Sequence, residues 1–348
     1  MSVARLVTFG EIMGRISPPG LKRIAQSMPG AVEMTFAGAE ASVAMSVAYL
    51  GGAASFVTAL PAHSVGDAVI ANLRSVGVDT RHIVRTSGGR LGLYFYEKGA
   101  SQRAGNVIYD REGSSVAITP GADYDWSAIF ADAEWFMISG ITPAISRNAT
   151  EVARSAMQAA TEHGVKIACD MNYRSKLWQW EPGVSARDLA TRTMRELMPM
   201  VDLFIGGRED AAAVLGVDPD EAKGEDMARE VVAMFPRVKQ MAMTMRDGAS
   251  ASQQTFGGML YDAGAGRSWA VKPYVIPDIV DRLGAGDAFT AGLLYALTTP
   301  ELSEPSQAIA FATAAGCLAH SIEGDFNYCS RGEIESLMSG HSGGRVQR

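Results

Sequence analysis

Short apolar runs alternate with longer stretches of helical periodicity along most of this chain. That rhythm belongs to a parallel sheet covered by helices on both faces. Strands are expected at residues 6–9, 56–59, 135–139, 165–170, 203–205 and 241–244. Helices are expected near 39–50, 67–76, 149–163, 221–234, 286–297 and 307–321, the last two rich in Ala, Gly and Thr, as helices are when packed closely on a sheet. Two stretches break the rhythm. Residues 10–36 are rich in Pro and Gly with no clean helix, and residues 90–117 read as alternating strands, Gly92-Leu-Tyr-Phe-Tyr-Glu97 and Asn106-Val-Ile-Tyr-Asp-Arg111. Alternation predicts a small antiparallel sheet beside the main one, apolar on one face and polar on the other. A polar face carrying Tyr94, Tyr109 and Arg111 would cover a ligand; a plain surface hairpin is the alternative.

Composition narrows the function classes. The chain has 348 residues, the length of two ordinary domains or one large α/β domain. With 47% hydrophobic and 20% charged residues it is not a disordered chain. Thirty-one basic against 38 acidic side chains leave a net charge of −7, the wrong sign for a general nucleic-acid or anionic-membrane binder. An anionic ligand would therefore need its counter-charges concentrated locally. Cys169, Cys317 and Cys329 form neither a disulfide framework nor a CxxC pair, and five scattered histidines show no zinc spacing. The first residues read as a buried strand rather than a signal peptide, and no apolar run approaches the ~18 residues that cross a bilayer. A soluble, cytoplasmic protein with no nucleic-acid or membrane partner is expected, ending in a frayed Gly/Ser-rich tail at 339–348.

The chemistry concentrates in Asp281-Arg-Leu-Gly-Ala-Gly-Asp287, which opens into an Ala/Leu run. Gly284 and Gly286 bracket a turn at a helix N-terminus, where unpaired backbone N–H groups and the helix dipole favour an anion. Glycine lets that backbone approach a phosphate without a Cβ in the way. Asp287 in the first helical turn would repel such a ligand unless it takes a proton from an attacking hydroxyl, the task of a base in phosphoryl transfer. A simple Asp cap is the plainer alternative. No Lys-Ser/Thr follows, so this is not a Walker A loop, and Phe289 stands where a dinucleotide fingerprint needs its third glycine.

The segment resembles the D-x-x-G-A-G-D signature of the ribokinase-like (pfkB-type) carbohydrate kinases. Phe36-Ala-Gly-Ala-Glu-Ala-Ser42, continuing to Gly51, is similar to that family's sugar-binding turn and helix. Within the family, bacterial 2-keto-3-deoxygluconate kinases are resembled by Gly10-Glu-Ile-Met13, Arg15-Ile-Ser-Pro-Pro19, Tyr109-Asp-Arg111, Ser139-Gly-Ile-Thr-Pro143, Asp170-Met-Asn-Tyr-Arg174, Leu177-Trp178 and Gly324-Asp-Phe326. These pieces stand in order over nearly the whole chain. The resemblance implies a three-layer α/β/α sandwich with a mostly parallel central sheet, one kinase domain over residues 1–338, and a small β-lid from segments near 10–36 and 90–117.

What the resemblance implies about the site is specific. Asp287 would be the catalytic base toward a sugar 6-hydroxyl, and the backbone of Gly284, Ala285 and Gly286 would form the anion hole. Gly38, Ser42, Tyr94, Tyr109, Arg111, Ile141, Arg174 and Asp325 would contact the sugar. Arg111 and Arg174 could clamp a carboxylate bidentately. ATP would lie across the Gly284 turn, against Thr244, Arg246 and Gly248, in a run read as following a strand, with the helix near 307–320 flanking the adenine. Mg²⁺ would bridge the phosphates, with Asp210 as an indirect holder, and relatives imply a monovalent cation near Asp281. A homodimer through the lid, or a higher homo-oligomer, is expected.

Three positions depart from the family pattern. Ala37 replaces a glycine, Ser42 an asparagine, and Gly207 the asparagine of an Asn-x-x-Glu element whose acid persists as Asp210; Arg208 is new beside it. Two alternatives stay open on the sequence alone: a kinase for a neutral sugar or nucleoside, and a catalytically silent sugar- or nucleotide-binding regulator. Intact Asp287 argues against the second.

Overall fold

Strand residues point alternately to opposite faces of a sheet, so a strand that is apolar throughout builds two cores at once. The computed structural model, which describes residues 5–216 and 224–340, shows this separation. Its strands are β1 (Arg5–Phe9), β2 (Met13–Ser17), β3 (Glu33–Ala37), β4 (Ala53–Val57), β5 (Ala59–Pro61), β6 (Val84–Thr86) and β7 (Gly92–Glu97). There follow β8 (Asn106–Asp110), β9 (Trp135–Ser139), β10 (Lys166–Asp170), β11 (Leu203–Ile205), β12 (Gln240–Ser250), β13 (Gln253–Asp262) and β14 (Arg267–Ile276). The main sheet has the order β14-β13-β12-β11-β10-β9-β1-β4. From β4 to β12 neighbours pair in parallel, while β13 and β14 are antiparallel.

Val7, Phe136, Ile138, Ile167, Cys169, Phe204 and Met241 pack on one face against helices Arg147–Glu162, Ala186–Leu197, Arg208–Leu215 and Gly224–Met234. Leu6, Phe56, Met137, Ala168, Ile205 and Ala242 pack on the other, against Ala39–Tyr49, Ser64–Ser75, Ala285–Leu297, Pro305–Ala319 and Arg331–Met338. The expected three layers are present. The small residues of Ala285–Leu297 serve close packing: a Cβ on Gly292 would lie 3.0 Å from Ala312 Cα.

Several elements differ from expectation. The strand expected at 56–59 is divided between β4 and β5. Strands β13 and β14 were not expected. Gly257 and Gly258 interrupt the apolar pattern of β13, yet a Cβ on Gly258 would stand 2.4 Å from Thr313 Oγ1, so the glycine admits the helix Pro305–Ala319. Pro273 demotes β14 on sequence grounds, but β14 is an edge strand with a register shift at that point, where proline is tolerated. The helices Ala186–Leu197, Arg208–Leu215 and Arg331–Met338 are also additional. Of the helix expected at 221–234, residues 221–223 lie outside the described residues, as do residues 341–348 of the tail.

The second sheet draws on the two irregular stretches, in the order β3-β2-β7-β8. It was expected to be antiparallel throughout; its central pair, β2 and β7, is parallel. Strands so far apart in sequence need no hairpin, so nothing local dictates their direction. Met13, Ala37, Tyr94 and Tyr96 form a small core on its inner side with Val107, Tyr109 and Leu283. The β12–β13 turn is joined to this lid: Ala251 N donates to Ser101 O at 2.8 Å, and Ser101 N to Ser252 Oγ at 2.9 Å. Among the described residues, no helix is long and apolar enough to cross a membrane.

Candidate active site

The carboxyl ends of β10, β11 and the parallel part of β12 open beneath the lid into a cavity of about 750 Å³. Gly284, Gly286 and Asp287 form part of its floor. Gly284 caps the helix Ala285–Leu297 with φ +80°, and a Cβ there would stand 2.1 Å from Asp325 O. Only glycine meets both demands. Asp287 falls in the first turn of that helix, half-buried and facing the cavity. Burial, followed by the charges of Asp170 and Asp325, pushes its carboxyl well above the ordinary carboxylate range, while Arg174 opposes the shift. Ala285 is buried and supplies no wall, so its place in the expected anion hole rests on its backbone N–H alone.

On the sugar side, Gly38, Tyr94, Tyr109, Ile141, Arg174 and Asp325 all line the cavity. Gly38 begins the helix Ala39–Tyr49, and a Cβ there would lie 2.2 Å from Glu11 O. Tyr94 Oη donates to Asp325 at 2.9 Å. Two expected contacts are elsewhere. Ser42 is buried one turn into its helix, its Oγ without a hydrogen-bond partner, and does not reach the cavity. Arg111 is turned away into a buried pair with Glu11 and lies over the Tyr109 ring at 5.6 Å. A buried guanidinium requires such a counter-charge. Of the two arginines expected to clamp a carboxylate, Arg174 alone lines the cavity.

On the nucleotide side, Thr244, Arg246 and Asp210 line the cavity together with Gly284 and Gly286. The run 244–252 does not follow a strand. It is the far half of β12 and the turn into β13, which carries Gly248 away from the cavity wall. No residue of Pro305–Ala319 lines the cavity either. Arg246 stacks over Phe256 at 5.2 Å, and a Cβ on Gly286 would lie 3.3 Å from its Nη2, so that glycine leaves room for the guanidinium. Asp210 accepts from Tyr173 N and from Gly207 N, each at 2.7 Å, tying the loop after β10 to the start of the helix Arg208–Leu215. Three helix N-termini, led by Gly38, Gly207 and Gly284, thus converge on one cavity, concentrating positive potential in an acidic chain.

Sequence reasoning gave no role to three buried groups that shape the site. Asp170, at the end of β10, accepts from Thr290 Oγ1 at 3.0 Å, and burial with the charge of Asp210 raises its pKa to about 7. Glu40 accepts from Ser139 N at 2.9 Å, Ser139 Oγ at 2.6 Å and Thr142 Oγ1 at 2.7 Å. It stands where β1 and β9 part, the point at which the connections turn to opposite sides of the sheet and ligands collect. A lone acid in an otherwise apolar helix was the available signal. Arg15, on β2, pairs with both Asp281 and Asp325.

The donors fit one implied cation and not the other. Asp210 lines the cavity, and its backbone bonds leave lone pairs free for a hydrated Mg²⁺, which takes few protein ligands. Asp281 does not suit a soluble monovalent ion. Its wholly buried carboxylate accepts from Leu283 N at 3.2 Å, Gly324 N at 3.3 Å and Arg15 Nη2.

A family model described as pfkB family carbohydrate kinase matches residues 3–327. The 2-dehydro-3-deoxygalactonokinase of Haloferax volcanii is 36% identical over 341 residues, which is 98% of each chain. Among solved structures, the 2-dehydro-3-deoxygluconokinase of Thermotoga maritima aligns with a TM-score of 0.88 at 38% identity, over 97% of this chain and 99% of its own. A pfkB family carbohydrate kinase from Listeria grayi aligns with a TM-score of 0.87 at 33% identity, over 96% and 99%.

Proposed function

The chain belongs to the pfkB family of carbohydrate kinases, and from that premise we propose that it transfers the terminal phosphoryl group of ATP to the 6-hydroxyl of 2-keto-3-deoxygluconate or a close sugar acid. The observation that carries this reading is Asp287, half-buried at the head of a helix in the same cavity as Arg174 and Arg246. Its raised pKa makes it a stronger base than a solvated carboxylate, suited to take the hydroxyl proton as the new O–P bond forms. The N–H groups from Gly284 to Gly286 receive the migrating phosphoryl group without reorganising. Arg174 meets the sugar's carboxylate, and Tyr94 with Asp325 orients its hydroxyls. Arg246 and Thr244 face the nucleotide phosphates. When bound, Mg²⁺ neutralises charge on those phosphates, and Asp210 would hold it through water. The lid excludes bulk water, the competing acceptor.

The test is ADP release with ATP, Mg²⁺ and a panel of sugar acids and neutral sugars. The panel includes both the gluco and galacto forms of the keto-deoxy acid, because the two named relatives differ there. Asp287→Asn should lower kcat by about 10²–10⁴ with substrate binding retained. Near-normal turnover would remove the base assignment, and neutral sugars outpacing the acids would favour a fructokinase-like specificity.

A further inference from the structure

Arg15 commits all three of its guanidinium nitrogens to partners inside the protein. Its side chain is 3% exposed; Nη2 meets Asp281, Nη1 meets Asp325 Oδ1 at 2.7 Å, Nε meets Ser17 Oγ at 3.1 Å, and the guanidinium lies over the Tyr96 ring at 4.7 Å. The two carboxylates it joins belong to segments that the fold presses together. Asp281 begins the turn to Gly284, and Gly284 packs on the carbonyl of Asp325. Arg15 itself comes from the lid, 266 residues before Asp281 and 310 before Asp325.

We propose that Arg15 is a built-in counter-cation of the phosphate turn, taking at Asp281 the place that the family resemblance gives to a soluble monovalent ion. A buried carboxylate needs a neighbouring positive charge and donors for its lone pairs. Asp281 obtains both from Arg15 and two backbone N–H groups, and none of these supplies the oxygen ligands an alkali ion requires. The planar fork of Arg reaches two carboxylates at once, which a spherical ion or a lysine does less well. Arg15 is a positioning residue. It fixes the turn that presents Gly284 and Asp287, and it makes that fixation conditional on the lid being in place.

The experiment uses the full chain at matched ionic strength in potassium, sodium and choline chloride, reading both melting temperature and ADP release. The parent protein should give the same melting temperature and kcat in all three salts. Arg15→Gln should lower kcat by about 10- to 100-fold, the range for losing a residue that orients reactive groups. Its melting temperature should become higher in potassium or sodium than in choline, and Arg15→Lys should lose less than Arg15→Gln. A parent protein activated or stabilised several-fold by potassium or sodium over choline would overturn the proposal, as would Arg15→Gln with unchanged kcat. Should the variants fail to fold, the parent's response to the three salts still decides. The melting readout needs no substrate, so it stands apart from the fate of the base assignment for Asp287.

Discussion

Replacing Asp170 with Asn isolates the electrostatic cost built into the cavity floor. The change keeps the side chain's shape, and the amide oxygen can still accept from Thr290 Oγ1. It removes a carboxyl whose pKa rises from an ordinary 3.8 to about 7 through burial and the charge of Asp210. A carboxyl raised in the folded state contributes its full stability below the unfolded pKa and loses it as pH climbs through the folded one. At about 1.4 kcal/mol per tenfold change in proton affinity, the ionised Asp170 costs about 4 kcal/mol of folding stability above pH 7, and less than about 2 kcal/mol at pH 5. Urea unfolding of Asp170→Asn should therefore show a gain of several kcal/mol at pH 8 that shrinks to less than half at pH 5. Asp170 is also the leading charged neighbour raising the Asp287 carboxyl, so the acid limb of the pH–kcat profile should move to lower pH. A gain independent of pH, or a loss at pH 8, would refute the argument.

Arg174→Ala should cost keto-deoxy acids far more in kcat/KM than neutral sugars, by about 1.5–3 kcal/mol for a charge-assisted contact; equal losses would deny the carboxylate clamp. Gly284→Ala should drop kcat at least about 100-fold and lower the melting temperature, since the left-handed backbone alone costs roughly 1–2 kcal/mol and the added Cβ meets Asp325 O at 2.1 Å. Unchanged turnover would mean the turn is not the phosphate cradle. The outer side of the lid sheet exposes Met34 of β3 and Ile108 of β8, on the face opposite Tyr94 and Tyr109. If that face joins two copies, as expected, Met34→Lys with Ile108→Lys should shift the sedimentation coefficient toward the monomer while leaving kcat near the parent value; a parent that sediments as a monomer would dismiss the dimer.

The features legible in the sequence were those with local signals. Gly284 and Asp287 sit within one turn of each other ahead of an apolar helix, and β9 is apolar from Trp135 to Ile138. Strand β13 hid behind two glycines, of which Gly258 makes room for a helix that crosses it 55 residues downstream at Thr313. Alternation put Arg111 in phase with Tyr109, but β8 ends at Asp110, and Arg111 is off the cavity lining. The partner that claims Arg111 is Glu11, 100 residues away. Arg15 and Glu40 were visible as charges in apolar surroundings, but the partners of each, two carboxylates for Arg15 and the Ser139 and Thr142 donors for Glu40, are set only when distant segments meet.

The seam between Ser101 and the β12–β13 turn carries one more consequence. The strand that presents Thr244 and Arg246 is fastened, at its far end, to the lid above the cavity. A lid that lifted would pull on the wall carrying Thr244 and Arg246, coupling the two sides of the cavity. If the proposed reaction holds, both products should depart in a single opening, and slowing that opening should slow both exits together.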